Sequence, residues 1–250
     1  MSHKYWVTSL TYRLEPCESV KFVNCPPLEF VNGLGTFRFA DGVLVVSLKE
    51  KLFDSLETAK RAVEAVLAAW DAKTRLDNWH SALTFRYSSS NVTPKTPPRG
   101  GDVLFAEGVS SVAFVGAATL TLTRSTYPEP PSDFQMDRDV ATLWARYEQH
   151  ASGREPLQSM AYFVATVLEG CNDGRQYFGA SNDVRKTLRS LSSWKGDPLT
   201  ARKADAKAPL TPQEEEWLRA TVRELIRRAG QFAAGIQLKP LNMNDLPPLS

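Results

Sequence analysis

The chain has 250 residues, enough for one large domain or two small ones with a full hydrophobic core. Its 42% hydrophobic and 23% charged content is that of an ordinary globular protein, and a formal net charge of +2 excludes a global field drawing it to nucleic acid or an anionic membrane. The three cysteines (Cys17, Cys25 and Cys171) form no C-x-x-C pair, which argues against a disulfide framework and a cysteine zinc site and leaves reduced thiols as the expectation.

In chain order, the first third reads as strands. Tyr5 to Leu14 alternates with period two, placing Trp6, Leu10, Tyr12 and Leu14 on one face and Tyr5 and Val7 on the other. In FRFADGVLVVSL, Asp41-Gly42 lies between two β-rich runs and predicts a two-residue hairpin turn. A helix is expected near residues 54–79, capped by Asp54 with Glu57 reaching back, and its apolar stripe runs Leu56, Ala59, Val63, Val66, Leu67, Trp70. Arg61, Glu64, Asp71 and Lys73 fall off that stripe. Strand character returns from Ala82 to Ser90 and, after the Pro- and Gly-rich loop SNVTPKTPPRGGD, in DVLFAEG and VSSVAFVGAATLTLTRS. YPEPPSD (Tyr127 to Asp133) closes this part and marks a domain boundary.

From Phe134 the pattern is helical. Val140, Leu143, Trp144 and Tyr147 share one face. Residues Met160 to Leu168 are apolar nearly all round, which predicts a central helix between Pro156 and Gly170. Ser181 caps a third helix with Val184, Leu188 and Leu191 inward. Thr211, Pro212 and Glu214 open a fourth with a capping box, its apolar face running from Trp217 through Leu218, Val222, Leu225, Ile226 and Ala229 to Phe232. The prolines of LKPLNMNDLPPLS stop any helix, and this tail either hangs free or lies in a groove through Leu241, Met243 and Leu246. The fold class is therefore α+β: a β-rich half (residues 1–130) with one long packed helix, a four-helix bundle-like half (131–236) and an extended tail (237–250).

Chemistry is harder to place. His3, His80 and His150 are too far apart for metal-ligand spacing, and Gly33-Leu34-Gly35 precedes a strand rather than a helix, so it cradles no phosphate. No metal or cofactor is expected. Arg146 and His150 share a helix face, and an Arg beside a His suits RNA cleavage, the His moving a proton while the Arg holds phosphate charge. From Arg185 to Lys207 seven basic residues stand against Asp197 and Asp205. Of these, Arg185, Lys186, Arg189, Lys195, Arg202 and Lys203, joined by Arg219, Arg223 and Arg227, would form a phosphate-holding surface if the fold gathered them. Gathering is what a sequence does not display; the alternative is a solvated face.

The stretches FDSLETAKRAVEAVLAAW, AYFVATVLEG, LRSLSSWKGDP and PLTPQEEEWLRATVRELIRR resemble those of bacterial proteins that join a β-rich front half to a helical back half. Residues 134–236 are similar in organisation to HEPN domains, bundles of four to five helices in bacterial toxin and phage-defence proteins. That resemblance implies either a ribonuclease or an inactive binding module. Active members carry Arg and His with four to six residues between them. Here three residues intervene, and the pair sits on the first bundle helix, which favours binding over catalysis.

The expectation is thus a non-catalytic bacterial interaction or sensing protein, linked to phage defence or toxin-type systems. The alternative is a HEPN-like RNA-binding protein or ribonuclease using Arg146 and His150. The start of the chain lacks the apolar core of a signal peptide, and no apolar run nears the roughly 20 residues that span a bilayer, so a cytoplasmic location without membrane contact is expected. A protein partner comes first, RNA second, and self-association through the helical half is a fold-level analogy.

Overall fold

A computed structural model describes residues 5–16, 20–78, 82–95, 122–170, 179–192 and 210–249. The chain divides into two compact units, Met1–Pro131 and Ser132–Ser250. The first is built on strands β1 (Tyr5–Leu14), β2 (Val20–Phe22), β3 (Leu28–Val31), β4 (Gly35–Ala40), β5 (Val43–Leu48), β6 (Phe85–Pro94) and β7 (Leu122–Arg124), with helix α1 (Leu56–Asp77). The second holds α2 (Arg138–Ala151), α3 (Leu157–Gly170), α4 (Asn182–Ser192), α5 (Pro212–Ala233) and a short 3-10 turn at Met243–Asp245. The fold is α+β.

Five strands form one antiparallel sheet in the order β3-β4-β5-β1-β6, while β2 and β7 pair in parallel. The hairpin β4–β5 turns at Asp41 and Gly42, both at positive φ (50° and 74°), the conformation that a tight hairpin requires of its two central residues. Gly35 opens β4, and a Cβ there would run into the Ser47 carbonyl oxygen. Gly33-Leu34-Gly35 is therefore hairpin geometry, with Leu34 N–H donating to Asn32 Oδ1 at 2.8 Å.

One face of this sheet is buried together with α1. Leu10, Tyr12, Phe37, Phe39, Leu44 and Val46 meet Ala59, Val63, Leu67 and Trp70 in a single core, with Leu56 and Val66 packed at its margin. The helical stripe is thus in place. The strand phase differs from the simple alternation: register shifts at Val7/Ser9 and Thr11/Tyr12 put Val7 with Leu10 and Tyr12 in the core. Trp6, which lies outside that core, stands under the Lys95 ammonium, 4.2 Å from its ring centroid. A bulge adds one residue, and one residue inverts a strand's facing. The α1 cap also differs. Ser55 accepts from the Thr58 amide, while Asp54 pairs with Lys95 at 2.9 Å. Strand β6 runs to Pro94, into the stretch read as loop, because Asn91, Val92, Thr93 and Pro94 pair with Ser9, Val7, Trp6 and Tyr5. The strands expected over residues 102–121 lie outside the described residues, as do Trp79, His80, Cys17 and Cys171.

In the second unit α3 and α5 each contact the other three helices. The buried face of α3 is Met160, Ala161, Val164, Ala165 and Leu168; Thr166 is exposed. Asp137 caps α2, and Thr211 and Glu214 make the capping box of α5, with Pro212 in its first turn. Trp217, Leu218, Val222, Leu225, Ile226 and Ala229 are buried, whereas Phe232 near the C-terminal end is exposed. Gly230 is packed so closely on the ring of Phe134 that a Cβ would overlap it.

The tail does not hang free. Leu241 forms a parallel bridge with Ala180, exchanging backbone bonds of 2.9 and 2.8 Å with Ser181 and Gly179, and both Leu241 and Leu246 are buried. Arg228 of α5 donates to the Lys239 carbonyl from beneath. Among the described residues no helix is long and apolar enough to cross a membrane.

Candidate functional site

Arg146 and His150 both lie on α2, one turn apart, as their spacing requires. What neither residue's neighbours in sequence announced is Glu155. Past the Ser152–Gly153 turn, where Gly153 takes a positive φ of 73°, the chain folds back and buries Glu155 beside them. Arg146 grips its carboxylate with Nε at 2.9 and 2.8 Å and Nη2 at 2.7 Å. Ser159 of α3 adds an O–H bond at 2.8 Å, and the guanidinium lies over the Phe163 ring, 4.6 Å from its centroid. His150 Nδ1 is 3.0 Å from the Glu155 carbonyl oxygen. That oxygen can only accept, so Nδ1 carries the proton and the ring is oriented by the backbone.

The electrostatics follow. Burial pushes the Glu155 carboxyl up. The bonds from Arg146 and Ser159, with the charges of Arg146 and His150, outweigh it and hold the group below the usual carboxylate range. The bonded carboxylate in turn raises Arg146. A guanidinium clasped in this way has its charge matched already. A phosphate entering here would meet the Glu155 carboxylate together with the Arg146 cation.

The basic residues are distributed differently from a single patch. On α4, Lys186 and Arg189 are exposed and Arg185 is half-buried, with Arg189 paired to Glu169 of α3. On α5, Arg219 pairs with Glu215 at 3.3 Å and Arg227 with Glu224, the four-residue and three-residue neighbours that a helix supplies. Arg219 and Arg223 also face Tyr147 of α2, whose hydroxyl burial raises and these charges lower. Lys195, Arg202 and Lys203 lie outside the described residues. So the structure brings Arg219 and Arg223 together near α2, and gives Arg146, Arg189, Arg219 and Arg227 a glutamate each.

Among the described residues each unit has a hollow of its own. One of about 600 Å³ lies between α5 and the tail, lined by Glu224, Arg228, Lys239, Asn242 and Asp245. Burial lowers Arg228, and the carboxylates of Glu224 and Asp245 oppose that shift. The other, about 340 Å³, is lined by Phe22, Cys25, Gly42 and Tyr127. Burial raises the Cys25 thiol, which sits 3.5 Å from the Arg124 carbonyl. A raised thiol is a poor nucleophile. Among the described residues no three His, Cys, Asp or Glu side chains gather for a metal. Comparison with family models, curated proteins and solved structures finds no match to this chain.

Proposed function

We propose that this chain is a non-catalytic interaction protein of the bacterial cytosol, acting by binding a protein partner. The observation that carries the reading is the triple hydrogen bond from Arg146 to buried Glu155. Phosphate chemistry needs an Arg whose charge is available as negative charge develops on the substrate. Arg146 is occupied in fastening the α2–α3 turn, and His150 donates to the same turn's backbone. The pair that would make the helical half a ribonuclease is built as a clamp, which supports the inactive-module side of the HEPN resemblance.

The test is RNA cleavage by the wild type and an Arg146→Ala/His150→Ala variant, at low and physiological salt. The expected result is no cleavage by either protein, with the variant melting at a lower temperature. Cleavage by the wild type that vanishes in a folded variant would overturn the reading in favour of a ribonuclease.

A further inference from the structure

The charged residues of the five-stranded sheet are Arg13, Glu29, Arg38 and Arg86. All four are exposed, on the face turned away from α1. The register explains why. Tyr12 pairs with Tyr87 on the core side, so their neighbours Arg13 and Arg86, also directly opposite each other, point outward. Arg38 faces Glu29 across β3–β4 and Val45 across β4–β5. Unlike Arg146, Arg189, Arg219, Arg227 and Arg228 of the bundle, Arg13 and Arg86 have no ion-pair partner among the described residues. Directly opposed residues on paired antiparallel strands sit roughly 5 Å apart, and like charges there are destabilising. Two arginines at directly opposed positions, with no ion-pair partner among the described residues, are a cost to the fold that an anionic partner would relieve.

The rest of the face narrows the partner. Along β1 and β6 the outward row continues from the arginines through Thr11 and Ser89 to Ser9 and Asn91, all hydrogen-bonding groups. Val45 and Val31 add exposed apolar surface, Val31 at 70%. The sheet's aromatic residues, Trp6 excepted, belong to the core or pack against it, and Trp6 already stands beneath Lys95. Single-stranded nucleic acid is held on such sheets by stacking on aromatic rings, and among the described residues this face offers no such platform. A second copy of the chain would set arginine against arginine across a two-fold axis.

We infer that the outer face of the five-stranded sheet, centred on the opposed Arg13–Arg86 pair, is the docking surface for an acidic segment of a partner protein. The inference rests on the interaction-protein reading and gives its partner a chemistry. Charge complementarity supplies the steering, while hydroxyls and valines supply short-range contact.

Fluorescence anisotropy with labelled oligoglutamate, a Gly-Ser peptide of equal length and oligouridine tests it. Oligoglutamate is expected to bind, more weakly as salt rises, and Arg13→Glu/Arg86→Glu is expected to weaken it by at least about tenfold, the scale of two exposed ion pairs. Arg219→Glu/Arg223→Glu on the bundle is expected to leave binding unchanged. Arg13→Gln/Arg86→Gln is expected to weaken binding as well while melting no lower than the wild type, so that the loss is not unfolding. No oligoglutamate binding at low salt, or binding indifferent to Arg13 and Arg86, overturns the inference. Tighter, Arg13- and Arg86-dependent binding of oligouridine overturns the protein partner in favour of nucleic acid. RNA cleavage, measured separately, decides the non-catalytic reading.

Discussion

At Glu155 two effects of opposite sign meet: burial, which disfavours the charge, and Arg146 with Ser159, which favour it and prevail. Because the folded carboxyl titrates below its unfolded value of about 4.3, its contribution to stability is fully present above that pH. It is lost as pH falls through the lower, folded value. Thermal melts from pH 7 down to pH 3 should therefore show a steeper acid loss for the wild type than for Glu155→Gln; parallel curves would show that Glu155 is not held charged. Arg146→Ala, which strands a carboxylate whose side chain is 7% exposed, should cost about 2 kcal/mol, below the range for fully buried pairs because Arg146 itself is partly solvated. Gly230 is the other sensitive residue. Gly230→Ala should cost about 2 kcal/mol in urea titrations, since the methyl group and the Phe134 ring compete for one place and helix propensity returns only about 1 kcal/mol.

At the scale of elements, α5 depends on its first turn. Thr211→Ala removes one half of the capping box, the bond to the Glu214 amide at 3.3 Å, and should lower stability by about 1 kcal/mol. The C-terminal tail behaves as part of the bundle. It contributes a backbone bridge to the start of α4, two buried leucines and the carbonyl that Arg228 holds. Truncation after Leu238 should lower the melting temperature by several degrees and raise hydrogen exchange at the Ser181 amide, which donates to Leu241. An unchanged melt would mean that the tail lies on the bundle without stabilising it.

For the whole molecule, the two units carry different kinds of charge. On the bundle, five arginines (Arg146, Arg189, Arg219, Arg227 and Arg228) are each paired with a glutamate; on the sheet three arginines stand against Glu29, an excess of two that equals the formal net charge of the entire chain. A protein of nearly neutral balance can thus still present a cationic face. Among the described residues, the core around Trp70 and the side chains packed against it come from the first unit, from Tyr5 to Tyr127. A fragment of residues 1–131 should accordingly unfold cooperatively on its own, monitored by Trp fluorescence; a non-cooperative melt would make the second unit necessary for the first.

Much of this was legible in the residues because local chemistry decided it. Asp41-Gly42 specified its turn, Thr211-Pro212-x-Glu214 its cap, and the period of α1 its buried stripe, since each depends on neighbours within a few positions. The strand phase of β1 escaped because a bulge depends on the pairing strand, and Ser55 displaced Asp54 at the α1 cap because Lys95, forty-one positions away, claimed the aspartate. The candidate site divides in the same way. The helical spacing of Arg146 and His150 followed from sequence, but Glu155's return across the Ser152–Gly153 turn changed their meaning from phosphate holder to clamp. Arg13 and Arg86 are seventy-three positions apart and individually ordinary; only strand pairing sets two like charges face to face. Sequence by itself determined the elements, their caps and their apolar faces, which are short-range properties of a chain. Tertiary structure alone decided which charges are matched and which are left over, because electrostatic partners are chosen by distance in space.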